Sequence, residues 1–111
     1  CEMLLAKGSH QGKRFISPDS FDLMTTTVTP NQISAGYASG FGYAFSLFCL
    51  EEPLLDGTGS PKGIFGWSGY HNTHFWIDPH NEIFGLFMTR TTPSSFEIQK
   101  QFRAVVYDHI A

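Results

Sequence analysis

The sequence predicts an α+β fold: an antiparallel sheet of about four strands in meander order, with helices packed on it. Three observations predict it. From Ile64 to Thr89, three aromatic and β-branched runs follow one another with only short turn-forming breaks. Phe41 to Leu50 is a further run, apolar on both faces, which calls for cover on both sides. Past Pro93, the residues Phe102, Val105, Val106, His109 and Ile110 recur at helical spacing and form one apolar stripe. The chain has 111 residues and suits one small domain spanning 1–111, which can bury roughly two-thirds of its surface. With eleven Phe, four Tyr and two Trp, its core should be strongly aromatic.

Each element has a local cause. Glu2 to Ala6 reads as the last turn of a helix, with Gly8 as its left-handed terminator. Ser9 to Lys13 is polar, contains Gly12 and reads as a loop. Ser17 then caps a helix with Pro18 at its first position and Asp19 in its first turn. This helix should run to Met24 or Thr25, burying Phe21 and Met24, until the threonine run and Pro30 end it. Residues 25–40 read as loop. Phe41 to Leu50 is expected to be one strand, and Glu51 to Lys62, with Pro53, Gly57, Gly59 and Pro61, a mobile hairpin loop. The meander strands are Ile64–His71, Thr73–Asp78 and Ile83–Thr89, turning at His71-Asn72 and at Pro79-His80-Asn81. Gly66 and Gly69 interrupt the first of them, as a glycine does where a bulge is needed or something must approach the backbone. That strand is therefore expected to be the working edge. A helix from Ser94 or Ser95 to Ile110 should lie across the sheet.

Composition narrows the function. The net charge is −3 and no basic cluster occurs, so no nucleic-acid partner is expected. No apolar run approaches the roughly 20 residues that span a bilayer, so no membrane segment is expected. No secretory signal pattern stands in these residues, and the compartment is left undecided. A start at Cys1-Glu2-Met3 is what a segment of something longer would show. Cys1 and Cys49 have no metal-type spacing; Cys49 reads as a small core hydrophobe. His71, His74 and His80 invite a metal reading, but odd spacing in extended chain turns His71 and His74 to opposite faces, and the expectation is no metal and no cofactor.

At these residues a family resemblance enters. Phe65 to Gly69, Thr73 to Pro79 and Gly85 to Thr89 resemble the C-terminal part of the serine β-lactamase-like hydrolases, nearest to the esterases related to class C β-lactamases and DD-peptidases. Met3-Leu4-Leu5 with Gly8, Phe15 to Pro18 leading to Met24, and Gly40 to Tyr43 fit the same order. The resemblance covers the whole chain but only about the last third of a family domain, a partial β-lactamase/transpeptidase-like fold. It implies an active-site strand bearing Lys-Thr-Gly or Trp-x-Gly, and Trp67-Ser68-Gly69 has the second form. It implies that the backbone N–H of Tyr70, just past the triplet, is an oxyanion-hole donor, and that Trp67, Ser68 and Gly69 border the substrate. Trp67 would wall the acyl pocket. The plainer reading makes Trp67, Gly69 and Tyr70 ordinary sheet residues.

The same family needs a serine nucleophile in Ser-x-x-Lys and a tyrosine in Tyr-x-Asn or a similar loop. No serine here has lysine three residues on, and no tyrosine has asparagine two residues on. Ser68 lacks a strand-turn-helix setting and is not expected to be a nucleophile. The chain is thus expected to act on a small ester or amide only together with the N-terminal part it lacks, and to be inactive alone. Rival readings are a non-catalytic binding or assembly module and a subunit of a split enzyme. In the resembling fold the outer edge of Ile83–Thr89 pairs with a strand from that missing part. With no proline or lysine to blunt it, this edge should form a homodimer or recruit a partner chain through residues 83–89.

Overall fold

A computed structural model describes residues 1–29 and 39–110. The N-terminal turn α1 (Glu2–Leu5) leads into a small hairpin, β1 (Ser9–His10) and β2 (Lys13–Arg14), where a plain loop was expected. Helix α2 (Pro18–Thr25) starts as its sequence requires, the Ser17 hydroxyl accepting from the Ser20 N–H at 3.1 Å. Of the expected 25–40 loop, Pro30 and Gly36 lie outside the described residues.

The main sheet has five antiparallel strands in the order β3-β4-β5-β6-β7, a full meander. They are β3 (Phe41–Tyr43), β4 (Phe48–Leu50), β5 (Phe65–Ser68), β6 (His74–Asp78) and β7 (Ile83–Phe87). The single strand expected over Phe41–Leu50 is instead the β3–β4 hairpin. Its turn is closed by the Ala44 N–H donating to the Leu47 carbonyl at 2.9 Å, with Ser46 at φ 63. Continuous apolar composition hid this turn, because the usual glycine or asparagine signal is absent from its tip. Between β4 and β5, the expected mobile loop carries a helical turn, α3 (Pro53–Asp56), which Gly57 ends at φ 71. Asp56, Thr58 and Ser60 in this stretch are buried.

Helices cover the sheet on both faces. On one, Phe21 of α2 packs with Ala44, Leu47, Cys49, Phe65 and Ile77, and Leu4 and Leu5 of α1 flank this cluster. The Phe21 and Phe65 rings meet edge to face at 5.9 Å. On the other, Phe41, Phe48, Leu50, Ile64 and Trp76 pack against Tyr107, Phe102 and Val106 of the long C-terminal helix α4 (Phe96–Ile110). Every residue of β4 is therefore buried, as its apolar run demands. Fully burying one such side chain stabilises by about 1.5–3 kcal/mol.

Two expectations about faces are corrected. The buried line of α4 is Gln99, Arg103 and Tyr107, while Val105 and Ile110 are 56% and 46% exposed. Phe102 and Val106 only flank that line. Long polar side chains won the inner face because they find buried partners there. Strand β7 is apolar on both faces, a pattern that predicts cover on both sides, yet Phe84, Leu86 and Met88 are exposed, Met88 by 75%. Gly85 on its inner face makes room for Trp76: a Cβ there would sit 2.1 Å from the indole. Among the described residues no helix is long and apolar enough to cross a membrane.

Candidate active site

Strand β5 is central in the sheet, but only its first half has two neighbours. Strand β4 pairs with it at Phe65 and Gly66 and then turns away, while β6 continues alongside from Phe65 to Ser68. The strand expected to be the working edge is thus an open edge only from Trp67 onward. Gly66 lies before it and serves packing, since a Cβ there would come within 2.0 Å of the Phe75 carbonyl oxygen.

At the end of β5 the chain reverses over Gly69, Tyr70, His71 and Asn72. The Gly69 N–H donates to the Thr73 carbonyl at 2.8 Å, and the Asn72 N–H donates to the Gly69 carbonyl at 3.1 Å. That carbonyl therefore points into the turn, and the Tyr70 N–H, trans to it across one planar peptide, points out. Tyr70 itself is 76% exposed, its ring edge-on to His71 at 5.0 Å. Gly69 is half-buried, and a Cβ there would meet the Thr73 hydroxyl at 2.1 Å. The buried Asn72 holds the turn from below: its Nδ2 donates to the Thr91 hydroxyl at 2.8 Å, and its Oδ1 accepts from the Ser95 N–H at 2.6 Å. It sits at φ 67, a conformation asparagine adopts more readily than most residues.

Trp67 is 45% exposed, with its ring against Tyr43 at 5.9 Å and Phe48 at 6.3 Å. It borders two hollows. One is a cavity of ≈ 60 Å³ lined by Tyr43, Phe48, Trp67, Ser68, His74 and Arg103 among others. The other is an open groove of ≈ 300 Å³ along Trp67, Gly69, Thr73, Phe75, Leu86 and Met88.

The Ser68 side chain turns inward instead. Its Oγ lies 3.0 Å from His74 Nδ1 and donates to Gln99 Oε1 at 2.7 Å. His74 Nε2 lies 3.0 Å from Arg103 Nη1, and Arg103 Nη2 donates to Asp56 Oδ1 at 2.7 Å. Asp56 also accepts from the Thr58 hydroxyl. An arginine only donates, so Nε2 accepts and the neutral ring carries its proton on Nδ1. Burial, and then the neighbouring Arg103 charge, bring the His74 pKa down to about 4, against a smaller opposing contact with the Trp67 backbone. Burial likewise works against the Arg103 charge, which Asp56 supports. The Ser68–His74 contact has the distance of a nucleophile–base pair and the wrong tautomer for one.

A second buried group lies further along the sheet. The Trp76 indole N–H donates to the Tyr107 hydroxyl at 3.0 Å, which donates to Asp78 Oδ2 at 2.8 Å. Asp78 also accepts the His80 and Asn81 N–H groups of the β6–β7 turn. Burial, then the Asp78 hydrogen bond, push the Tyr107 phenol well above its ordinary range. Of the three histidines weighed for metal, His74 is buried here and His71 and His80 are exposed; among the described residues no group of three or more His, Cys, Asp or Glu could hold an ion.

Sequence reasoning singled out Trp67, Ser68, Gly69 and Tyr70, and the structure places them at the end of β5 and in the turn that follows. It missed Asp56, Asn72, Gln99 and Arg103. The signal for the last two was the spacing of Gln99, Arg103 and Tyr107 at intervals of four, a stripe parallel to the apolar one.

Comparison with known proteins agrees with this architecture. EstCE1, described as a hydrolase with promiscuous acyltransferase activity, superposes with a TM-score of 0.76 at 25% identity, over 96% of this chain and 27% of its own. Protein Rv1367c of Mycobacterium tuberculosis (strain H37Rv) is 31% identical over 101 residues, which is 82% of this chain and 25% of that protein. The uncharacterized protein MT1414 of strain CDC 1551 matches to the same extent. The chain thus spans about a quarter of the length of these curated relatives. The beta-lactamase family profile matches residues 3–108, and with that extent of match the chain belongs to the beta-lactamase family.

Proposed function

We propose that this chain is the sheet-and-helix part of a serine esterase-type acyl-transfer site. In this reading Trp67, Ser68 and Gly69 form the strand beside the substrate, and the Tyr70 N–H stabilises the oxyanion of an ester or amide. Nucleophile and base come from a portion outside residues 1–111. The observation that carries the reading is the outward Tyr70 N–H at the open end of β5, beside the half-exposed Trp67. The acyltransferase description of EstCE1 supports the same reaction class. The exposed outer face and edge of β7, residues 83–89, receive that further portion or a second copy of the chain.

One substitution isolates the N–H. Tyr70 is the second residue of its turn, a position that favours proline, and proline has no N–H to donate. In the complete enzyme carrying this segment, Tyr70→Pro is expected to lower kcat about 10²–10³-fold, the effect of losing one oxyanion donor. Tyr70→Phe keeps the donor and should change little. Equal losses from both would assign the chemistry to the phenol and sink the proposal. Gly69→Val is a poorer probe, because its Cβ already meets Thr73 without any substrate.

A further inference from the structure

Beyond Gly66 strand β5 has lost one lateral neighbour, and Ser68 pairs only with His74. Yet this end carries the turn whose peptide plane aims the Tyr70 N–H. A donor of that kind works only when held to within about half an ångström. The hydrogen bonds of the turn hold it to β6, and Asn72 ties it to the segment before α4. Under the end of β5 itself, a polar chain reaches Ser68 from the layer beneath.

That chain admits one direction only. Arg103, 3% exposed and with donors alone, gives one N–H to Asp56 on α3 and another to His74 Nε2. His74, also 3% exposed, therefore presents its Nδ1–H to Ser68 Oγ. The serine is left to give its own hydrogen to Gln99 Oε1, one helical turn before Arg103 on α4. Each link fixes the next, and the last, Ser68 to Gln99, closes β5 onto α4. Hydrogen bonds linked in this way, the Arg103 pair buried and the Ser68 pair partly so, act cooperatively and favour a single arrangement.

We propose that the chain from Asp56 through Arg103 and His74 to Ser68 and Gln99 is a positioning device that fixes the free end of β5, and with it the Tyr70 N–H, against α4. This rests on the reading of Tyr70 as the oxyanion donor. Ser68 and His74 are positioning residues. The imidazole shows the serine a proton and no lone pair, so it takes none from it.

The test uses isotope-labelled protein without substrate, so it can fail while the Tyr70→Pro experiment succeeds, and the reverse. At neutral pH the ¹⁵N shifts of His74 should report the Nδ1–H tautomer. Ser68→Ala should lower the backbone order parameters of Gly69 and Tyr70. It should also speed exchange of the Gly69 amide roughly tenfold, about the worth of one hydrogen bond, with the Ile77 amide unchanged. Ser68→Thr, which keeps a hydroxyl, should restore both, and Gln99→Leu should act in the same direction as Ser68→Ala. An Nε2–H tautomer overturns the proposal. So does a Ser68→Ala protein whose Gly69 is unaltered or loosens only in step with Ile77, or a Ser68→Thr protein as loose as the alanine variant.

Discussion

His74 links the chemistry of single residues here to stability. Burial and the Arg103 charge hold its pKa at about 4, against 6.5 for an unperturbed histidine. Between those values the unfolded chain binds a proton that the folded chain refuses, so stability rises with pH across that window. It is fully present above about pH 6.5 and falls as pH drops toward 4, by on the order of 3 kcal/mol. The urea midpoint should therefore decline from pH 7 to pH 4.5, and the His74 ring signals should stay untitrated until near pH 4. A ring that titrates near 6.5 would refute this. Tyr107 offers a second residue test, since its hydroxyl is the only bridge between the Trp76 indole and Asp78 in the described network. Tyr107→Phe leaves the buried indole N–H without an acceptor and should cost about 1–3 kcal/mol in a denaturant titration.

At the scale of elements, Asp56 and Arg103 tie α3 to α4 through an ion pair with side chains 1% and 4% exposed. The guanidinium also lies 5.2 Å above the Phe41 ring. Removing one partner strands the other: Arg103→Met should destabilise by about 3–5 kcal/mol. The double variant Arg103→Met with Asp56→Leu should recover much of that loss, which a double-mutant cycle measures. Additive losses would mean that the two residues act separately. Pairing of this kind explains why α4 turns Gln99 and Arg103 inward and leaves Val105 and Ile110 in solvent.

For the whole molecule, the uneven cover of the sheet matters most. Helix α4 closes one face, whereas the other leaves partly open a row running across three strands, with Trp67 and Leu86 exposed on either side of the half-buried Phe75. With Phe84 and Met88 beside it, this apolar surface adjoins the outer edge of β7, which has no strand neighbour among the described residues. Light scattering on the purified chain should therefore show dimers or larger species at about tens of micromolar, where modest interfaces assemble. Leu86→Lys should shift them toward monomer, and a clean monomer of the unaltered chain would exclude association through 83–89. The same chain should not turn over p-nitrophenyl esters or a chromogenic β-lactam, because an oxyanion donor without an attacking group leaves most of the barrier standing.

Local patterning alone determined the meander from β5 to β7, the Ser17-capped helix, the C-terminal helix and the strand end that carries Trp67 to Tyr70. Alternation, caps and turn residues act over a few positions, so they can be read without knowing what lies across the fold. Tertiary structure decided the rest. It broke Phe41–Leu50 into a hairpin at residues carrying no turn signal, and it rotated α4 so that arginine and glutamine face inward. It also turned the half-buried Ser68 hydroxyl inward, onto His74 and Gln99. The last two depend on partners 29 to 47 residues away in the chain. Whether a polar side chain may be buried is settled by the group that meets it, and no local pattern contains that group.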